Sequence, residues 1–223
     1  MNASAAPSRP SLREALVEAA RAMNRLGINR GTSGNASVRG GAGFLVTPSA
    51  LPYDRMGAAD IVEMTLEGTP IDATRAPSSE WRFHRDLYAA RDDIGALIHT
   101  HAPFATTLAC LDRTIPAFHY MVARAGGPDI RCAGYATFGT QALSDHVVAA
   151  MTGRKACLMS HHGMIAAGAT LDAALGLAVE VEQLAEMYWR ALQLGEPVLL
   201  DDAEMARVAR QFEGYGRAAL PLR

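Results

Sequence analysis

A chain of 223 residues with 49% hydrophobic and 20% charged residues is long enough for one sizeable core, and a net charge of −2 gives it neither a basic field nor an acidic tail. That balance argues against nucleic acid and against an anionic membrane surface as partners, and no run approaches the roughly 18 apolar residues of a membrane span. Three scattered cysteines, Cys110, Cys132 and Cys157, sit among apolar neighbours, which predicts reduced core thiols in a soluble cytoplasmic protein and not a disulfide framework.

Residues 1–10, rich in Ala, Ser and Pro, read as a disordered leader, and residues 11–223 as a single domain. Ser11 begins a helix with a capping box to Glu14; Leu12, Ala15, Leu16, Ala19, Met23 and Leu26 follow at helical spacing, and Gly27 ends it. A loop of small residues, Arg30 to Asn35, precedes strand candidates at Gly43–Val46 and Asp60–Met64, with the loop Thr47-Pro48-Ser49-Ala50 between them. After Pro77 the pattern predicts a helix from Ser78 to Arg91, its first turn being Ser78-Ser79-Glu80. A strand from Ile94 to Ile98 runs into His99-Thr100-His101, and Pro103 fits the first turn of a helix to about Leu111. A helix at Gly139–Met151, a strand at Ala156–Met159, the turn Ser160-His161-His162-Gly163 and a strand at Met164–Ala167 follow. Thr170 to Leu194 is a long amphipathic helix, and a last helix starts at Asp201 with Glu204 completing its capping box. Helices interleave with short strands, an α/β pattern, but without the βαβ spacing or Gly-x-Gly-x-x-Gly turn of a dinucleotide fold.

The chemistry gathers around His99 and His101. Side chains at i and i+2 of an extended segment point to one side, about 7 Å apart, so two imidazoles can converge on one metal ion. His84, His119, His146, His161 and His162 are the candidates for a third ligand. His161-His162-Gly163 ends a second apolar strand, so two strands finishing at one sheet edge would bring it to the pair, although adjacent residues face opposite ways and one alone would bind. His84 and His146 read as surface residues. Ser78 and Ser79 at a helix start suit either an anion or plain capping. The Gly34-Asn35 and Thr47-Pro48-Ser49 loops are either ordinary turns or places where backbone and hydroxyl groups approach an anion.

Taken together, Gly31-Thr32-Ser33-Gly34-Asn35, Thr47-Pro48-Ser49, Pro77-Ser78-Ser79-Glu80-Trp81-Arg82-Phe83-His84, His99-Thr100-His101, His119-Tyr120-Met121, Tyr135-Ala136-Thr137-Phe138-Gly139-Thr140, His161-His162-Gly163 and Tyr215-Gly216 resemble the class II aldolase/adducin family from about Leu12 to Arg217. The resemblance implies a three-layer α/β/α sandwich with a mixed, largely antiparallel central sheet. It implies one zinc ion per subunit on His99, His101 and His162, and Glu80 as catalytic acid/base. It further implies a phosphate grip from Asn35, Ser49, Ser78 and Ser79 with the backbone around Gly34 and Ala50, where the family has glycine at the Ala50 position. Tyr120 would reach the site of an adjacent subunit in a ring-shaped homotetramer, and Tyr215 would close over the site from the C-terminal segment. The implied activity is cleavage of a small phosphorylated sugar, a ketose 1-phosphate with L-fuculose 1-phosphate foremost, to dihydroxyacetone phosphate and an aldehyde. A metal on the substrate oxygens stabilises the carbanion as an enediolate. A pentulose-phosphate epimerase or a dehydratase of the same family is the near alternative. A non-catalytic adducin-like interaction domain is the distant one.

Overall fold

The computed structural model describes residues 9–40, 43–71 and 73–214. In chain order the elements are α1 (Arg9–Arg25), β1 (Asn35–Gly40), β2 (Gly43–Val46), β3 (Val62–Thr65), β4 (Pro70–Ile71), α2 (Trp81–Ala90), β5 (Ala96–Thr100), α3 (Pro103–Ala109), β6 (Cys132–Ala133), α4 (Gln141–Ala150), β7 (Ala156–Met159), β8 (Gly163–Gly168), α5 (Leu171–Leu192) and α6 (Asp202–Gly214). The strands form one eight-stranded sheet in the order β4-β3-β2-β1-β5-β8-β7-β6. Every neighbouring pair is antiparallel except β6 with β7.

Strand alternation sends successive side chains to opposite faces of this sheet, and each face has its own core. Ala36 and Val38 of β1, Ala96 and Ile98 of β5 and Met164 and Ala166 of β8 pack under α1, α3, α5 and α6. Leu97 of β5, Cys157 and Met159 of β7 and Ile165 of β8 pack under α2 and α4 with Phe83, Leu87, Tyr88 and Leu143. The result is the three-layer α/β/α sandwich with a mixed, mostly antiparallel sheet. Among the described residues no helix is long and apolar enough to cross a membrane.

Local chemistry explains where elements begin. Thr170 and Thr140 cap α5 and α4 by accepting from Ala173 N and Leu143 N. Asp201 Oδ1 accepts from Glu204 N at 2.7 Å, the expected cap of α6. Helix α3 has no local side-chain cap; instead Glu182 of α5 accepts from Phe104 N and Ala105 N, both at 2.8 Å, and so fixes the chain just beyond His101.

Several expectations are corrected. Helix α1 starts at Arg9, two residues ahead of Ser11, and residues 1–8 lie outside the described residues. Ser78-Ser79-Glu80 precede α2 and do not form its first turn: Ser78 N bonds Thr47 O at 3.0 Å, which pulls this stretch into a bridge with the Pro48 loop. β1 and the two-residue β4 were not expected as strands. Only Cys157 is a buried core thiol; Cys132 is half-buried and Cys110 exposed, because Cys110 closes the outer end of α3.

Candidate active site

The site lies at one edge of the sheet, where the ends of β1 and β5 and the β7–β8 turn meet. His99 is the penultimate residue of β5, directly opposite Asn35 of β1 and Ile165 of β8. It is fully buried, and its Nδ1 lies 2.8 Å from Met164 O. A carbonyl accepts, so Nδ1 donates to it and Nε2 is the nitrogen left facing the site. His101 follows past the strand end on the same side, and its ring centroid is 5.1 Å from that of His99. His162 stands 4.9 Å from each of them.

One nitrogen from each of the three imidazoles can be chosen so that all lie within 4.8 Å of one another. Nε2 of both His99 and His101 is buried without a hydrogen-bond partner. Burial, together with the neighbouring His99 and His162, pushes His101 down to about 4, so it is neutral near pH 7. Three imidazole nitrogens converging at this spacing, two of them buried without a hydrogen-bond partner, fit a divalent cation. The cluster can hold a metal ion on these grounds.

The turn geometry resolves which member of the His161-His162 pair joins. His161 takes a left-handed φ of 52°, which turns its exposed ring away to an edge contact with Tyr135 at 6.0 Å. Gly163 then lets β8 close on β5: a Cβ there would stand 2.4 Å from Thr100 O and 3.1 Å from the His101 ring.

Glu80 completes the cluster from the other side. Its carboxylate is buried, with Oε2 3.1 Å from His99 Nε2 and Oε1 3.1 Å from His162 Nε2. Burial alone would raise its pKa; the charge and close approach of His99 and His162 outweigh this and hold the carboxyl well below the usual range, hence ionised. Its backbone N–H donates to Ser78 Oγ at 3.3 Å. From beneath, Asn35 Nδ2 donates to Glu80 Oε2 at 3.0 Å.

His84 is a correction to the sequence reading. It is fully buried, not on the surface, because α2 turns Phe83, His84, Leu87 and Tyr88 inward and His84 meets the polar face of β1. Its Nε2 lies 2.6 Å from Asn35 Oδ1 and its Nδ1 2.7 Å from Ser37 Oγ. His146 is exposed, as expected, beside Gly134 O.

A pocket of about 340 Å³ opens at Glu80, lined also by Thr32, Ser33, Ser49, Ala50, Ser79, His101, Phe138 and His162. Of the residues expected around a phosphate, Ser49, Ala50 and Ser79 line it, whereas Gly34, Asn35 and Ser78 do not. The amide of Asn35 is used at both ends, and the hydroxyl of Ser78 is taken by Glu80 N. Gly34 is packed so closely that a Cβ would lie 2.5 Å from His99 O. Ala50 adopts a left-handed φ of 56°, the conformation that suits glycine. Thr32 and Ser33 were not singled out from sequence as lining residues; their place in a small-residue loop beside Asn35 was the available signal. Tyr120 is 49% exposed, stacks on Phe212 at 6.3 Å and does not line this pocket. Tyr215 lies outside the described residues.

Residues 14–189 match the class II aldolase and adducin N-terminal domain. The chain belongs to the class II aldolase and adducin family. Within that family, a 5-methylthioribulose-1-phosphate/5-deoxyribulose-1-phosphate aldolase of Rhodospirillum rubrum is 60% identical over 215 residues, 96% of this chain and 97% of the relative. An L-fuculose phosphate aldolase of Escherichia coli is 46% identical over 209 residues, 93% of this chain and 97% of the relative. A solved L-fuculose 1-phosphate aldolase structure superposes with a TM-score of 0.89 at 39% identity, covering 95% of this chain and 100% of that one. These aldolase relatives, matched along nearly their whole length, make this family member an aldehyde-lyase, a class II aldolase.

Proposed function

We propose that this class II aldolase uses zinc to cleave, reversibly, a ketose 1-phosphate with a short apolar tail into dihydroxyacetone phosphate and the corresponding aldehyde. The observation that carries the reading is the ionised Glu80 carboxylate set against three convergent histidines at the floor of a hydroxyl-lined pocket. A divalent cation held by His99, His101 and His162 supplies Lewis-acid stabilisation of the charge that develops on the ketose oxygens. Glu80 moves the proton on the carbon that remains with dihydroxyacetone phosphate. Ser49 and Ser79, joined by Thr32 and Ser33, grip the phosphate through hydroxyl and backbone donors; among the described residues no lysine or arginine lines this pocket. Asn35 and Ser78 serve that grip indirectly, by fixing the backbone and carboxylate behind it. Holding a remote phosphate converts its binding into orientation at the breaking bond.

The tail is inferred from two supports. Phe138 presents a 65% exposed ring at the pocket wall, a surface for a methyl or thioether end and not for a hydroxymethyl. The 60% identical relative is named for 5-methylthioribulose 1-phosphate and 5-deoxyribulose 1-phosphate, whose aldehyde halves carry no hydroxyl, whereas L-fuculose phosphate, named for relatives at 46%, leaves an aldehyde with a hydroxyl beside its methyl. Tyr120 of an adjacent subunit in a homotetramer would handle the proton on the aldehyde oxygen, a role supported by its exposure and its absence from its own pocket. The cytoplasm is the compartment in which we place this reaction.

The test is aldol synthesis by zinc-loaded enzyme from dihydroxyacetone phosphate and a panel of methylthioacetaldehyde, acetaldehyde, L-lactaldehyde and glycolaldehyde. The first two should give the highest kcat/KM. Preference for L-lactaldehyde would return the substrate to L-fuculose 1-phosphate, and no C–C bond formation with any aldehyde would remove the aldolase reading.

A further inference from the structure

Beneath Glu80 runs a buried line of side chains of which the chemistry so far uses only Asn35. Tyr88 Oη lies 2.8 Å from Ser37 Oγ, Ser37 Oγ 2.7 Å from His84 Nδ1, His84 Nε2 2.6 Å from Asn35 Oδ1, and Asn35 Nδ2 3.0 Å from Glu80 Oε2. Asn35, Ser37, His84 and Tyr88 are all at most 3% exposed.

The directions of these bonds follow one from another. Asn35 Nδ2 donates to Glu80 Oε2, so the amide turns its NH2 to the carboxylate and its oxygen to His84. That oxygen needs a donor, so His84 carries its proton on Nε2. Burial and nearby His99 push His84 down to about 3, which keeps it neutral, so Nδ1 accepts from the Ser37 hydroxyl. Ser37 has then given its only proton and accepts from Tyr88. Every donor in the line points toward Glu80, and such aligned bonds polarise one another.

We infer that His84 is a positioning residue for Glu80: through Asn35 it fixes which end of the amide meets the carboxylate and holds Glu80 in the orientation from which it takes a proton. An asparagine amide can flip by 180°, and the flipped form would aim an oxygen at a carboxylate, a repulsion in a buried setting. His84 Nε2–H makes that flip unfavourable, since its N–H would then face an NH2. Ser37 and Tyr88 lock the tautomer that does this. The inference rests on the reading of Glu80 as the carbon acid/base.

The test isolates that proton step. Zinc-loaded wild type and variants are incubated with dihydroxyacetone phosphate in deuterated water without aldehyde, and exchange at the reacting carbon is followed alongside kcat, KM and bound zinc. His84→Phe keeps the bulk and loses both hydrogen bonds; exchange and kcat should fall together by about 10- to 100-fold, with KM and zinc content unchanged. His84→Gln can donate to Asn35 and should recover most of the rate. Unchanged exchange in His84→Phe, or equal loss in His84→Gln, overturns the proposal, the second because a restored donor to Asn35 would then not restore the rate. Should His84→Phe fail to fold, Ser37→Ala carries the test: a several-fold slowing of exchange at constant KM supports the line, and none refutes it. Glu80→Gln, run in parallel, separates the two ideas. If it retains exchange, the acid/base reading itself falls; if it abolishes exchange while His84→Phe does not, only the positioning role falls.

Discussion

The two faces of β1 obey opposite rules. Toward α1 it sends Ala36 and Val38 into a wholly apolar core. Toward α2 it sends Asn35 and Ser37, just as buried, and the half-buried Arg39, all three engaged: Asn35 with Glu80 and His84, Ser37 with His84 and Tyr88, and Arg39 with the carbonyls of Tyr88, Arg91 and Ile94. One strand thus contributes burial on one side and direction on the other. The apolar face stabilises the molecule without specifying any bond, while the polar face sets the orientation of a single carboxylate.

Substitutions on the two sides should therefore fail in different currencies. The largest effect is expected where the polar side ends at the histidines: His162→Ala should remove bound metal and turnover together, read by metal analysis and aldol assay on the same sample. Glu80→Gln should lower turnover by roughly 10²- to 10⁴-fold with metal retained. On the apolar side, Ile98→Val should cost about 0.5–1.5 kcal/mol in urea unfolding and leave kcat of the folded enzyme near wild type; a large loss of kcat would break the distinction between faces. His84 ties pH to the polar side. Its proton affinity is depressed in the folded state to about 3 and ordinary, near 6.5, when unfolded, so its contribution to stability is complete above about 6.5 and is lost as pH falls toward about 3. The urea midpoint of metal-free protein should decline over that window, and His84→Gln should flatten the decline. The smallest effect belongs to Ala50→Gly. Relief of the left-handed φ and the greater freedom of unfolded glycine nearly offset, leaving a gain of a few tenths of a kcal/mol by thermal unfolding.

That asymmetry also decides what could be read from sequence. β2 and β7 lie at the boundaries expected for them because both of their faces are apolar or buried, and uninterrupted hydrophobic runs announce such strands. β1 escaped notice because its second face is polar, and polar alternation beside a glycine-rich loop looks like turn. For the same reason His84 looked like surface: helical spacing tells which residues share a face, but not that the opposing strand offers a serine and an asparagine. The third histidine was narrowed to a pair by strand position and to His162 by the family resemblance; the left-handed turn at His161 supplies the geometric reason that spacing alone does not give. Asn35 and Ser78 were assigned to the phosphate because amides and hydroxyls suit an anion; their hydrogen bonds to Glu80 and His84 depend on packing between segments distant in the chain, which spacing does not encode.

The pairing of β5 with β8, which brings His99 opposite Ile165 and the β7–β8 turn against His101, has a kinetic meaning. His162 is distant in sequence from His99 and His101 and meets them only after this non-local seam has closed, so partly folded chains lack the complete ligand set. A metal bound by all three would favour the closed sheet over its precursors by mass action. The rate at which the refolding chain captures its ion is then a clock for the slowest strand pairing, and chelation should speed unfolding by releasing the seam that joins the two halves of the sheet.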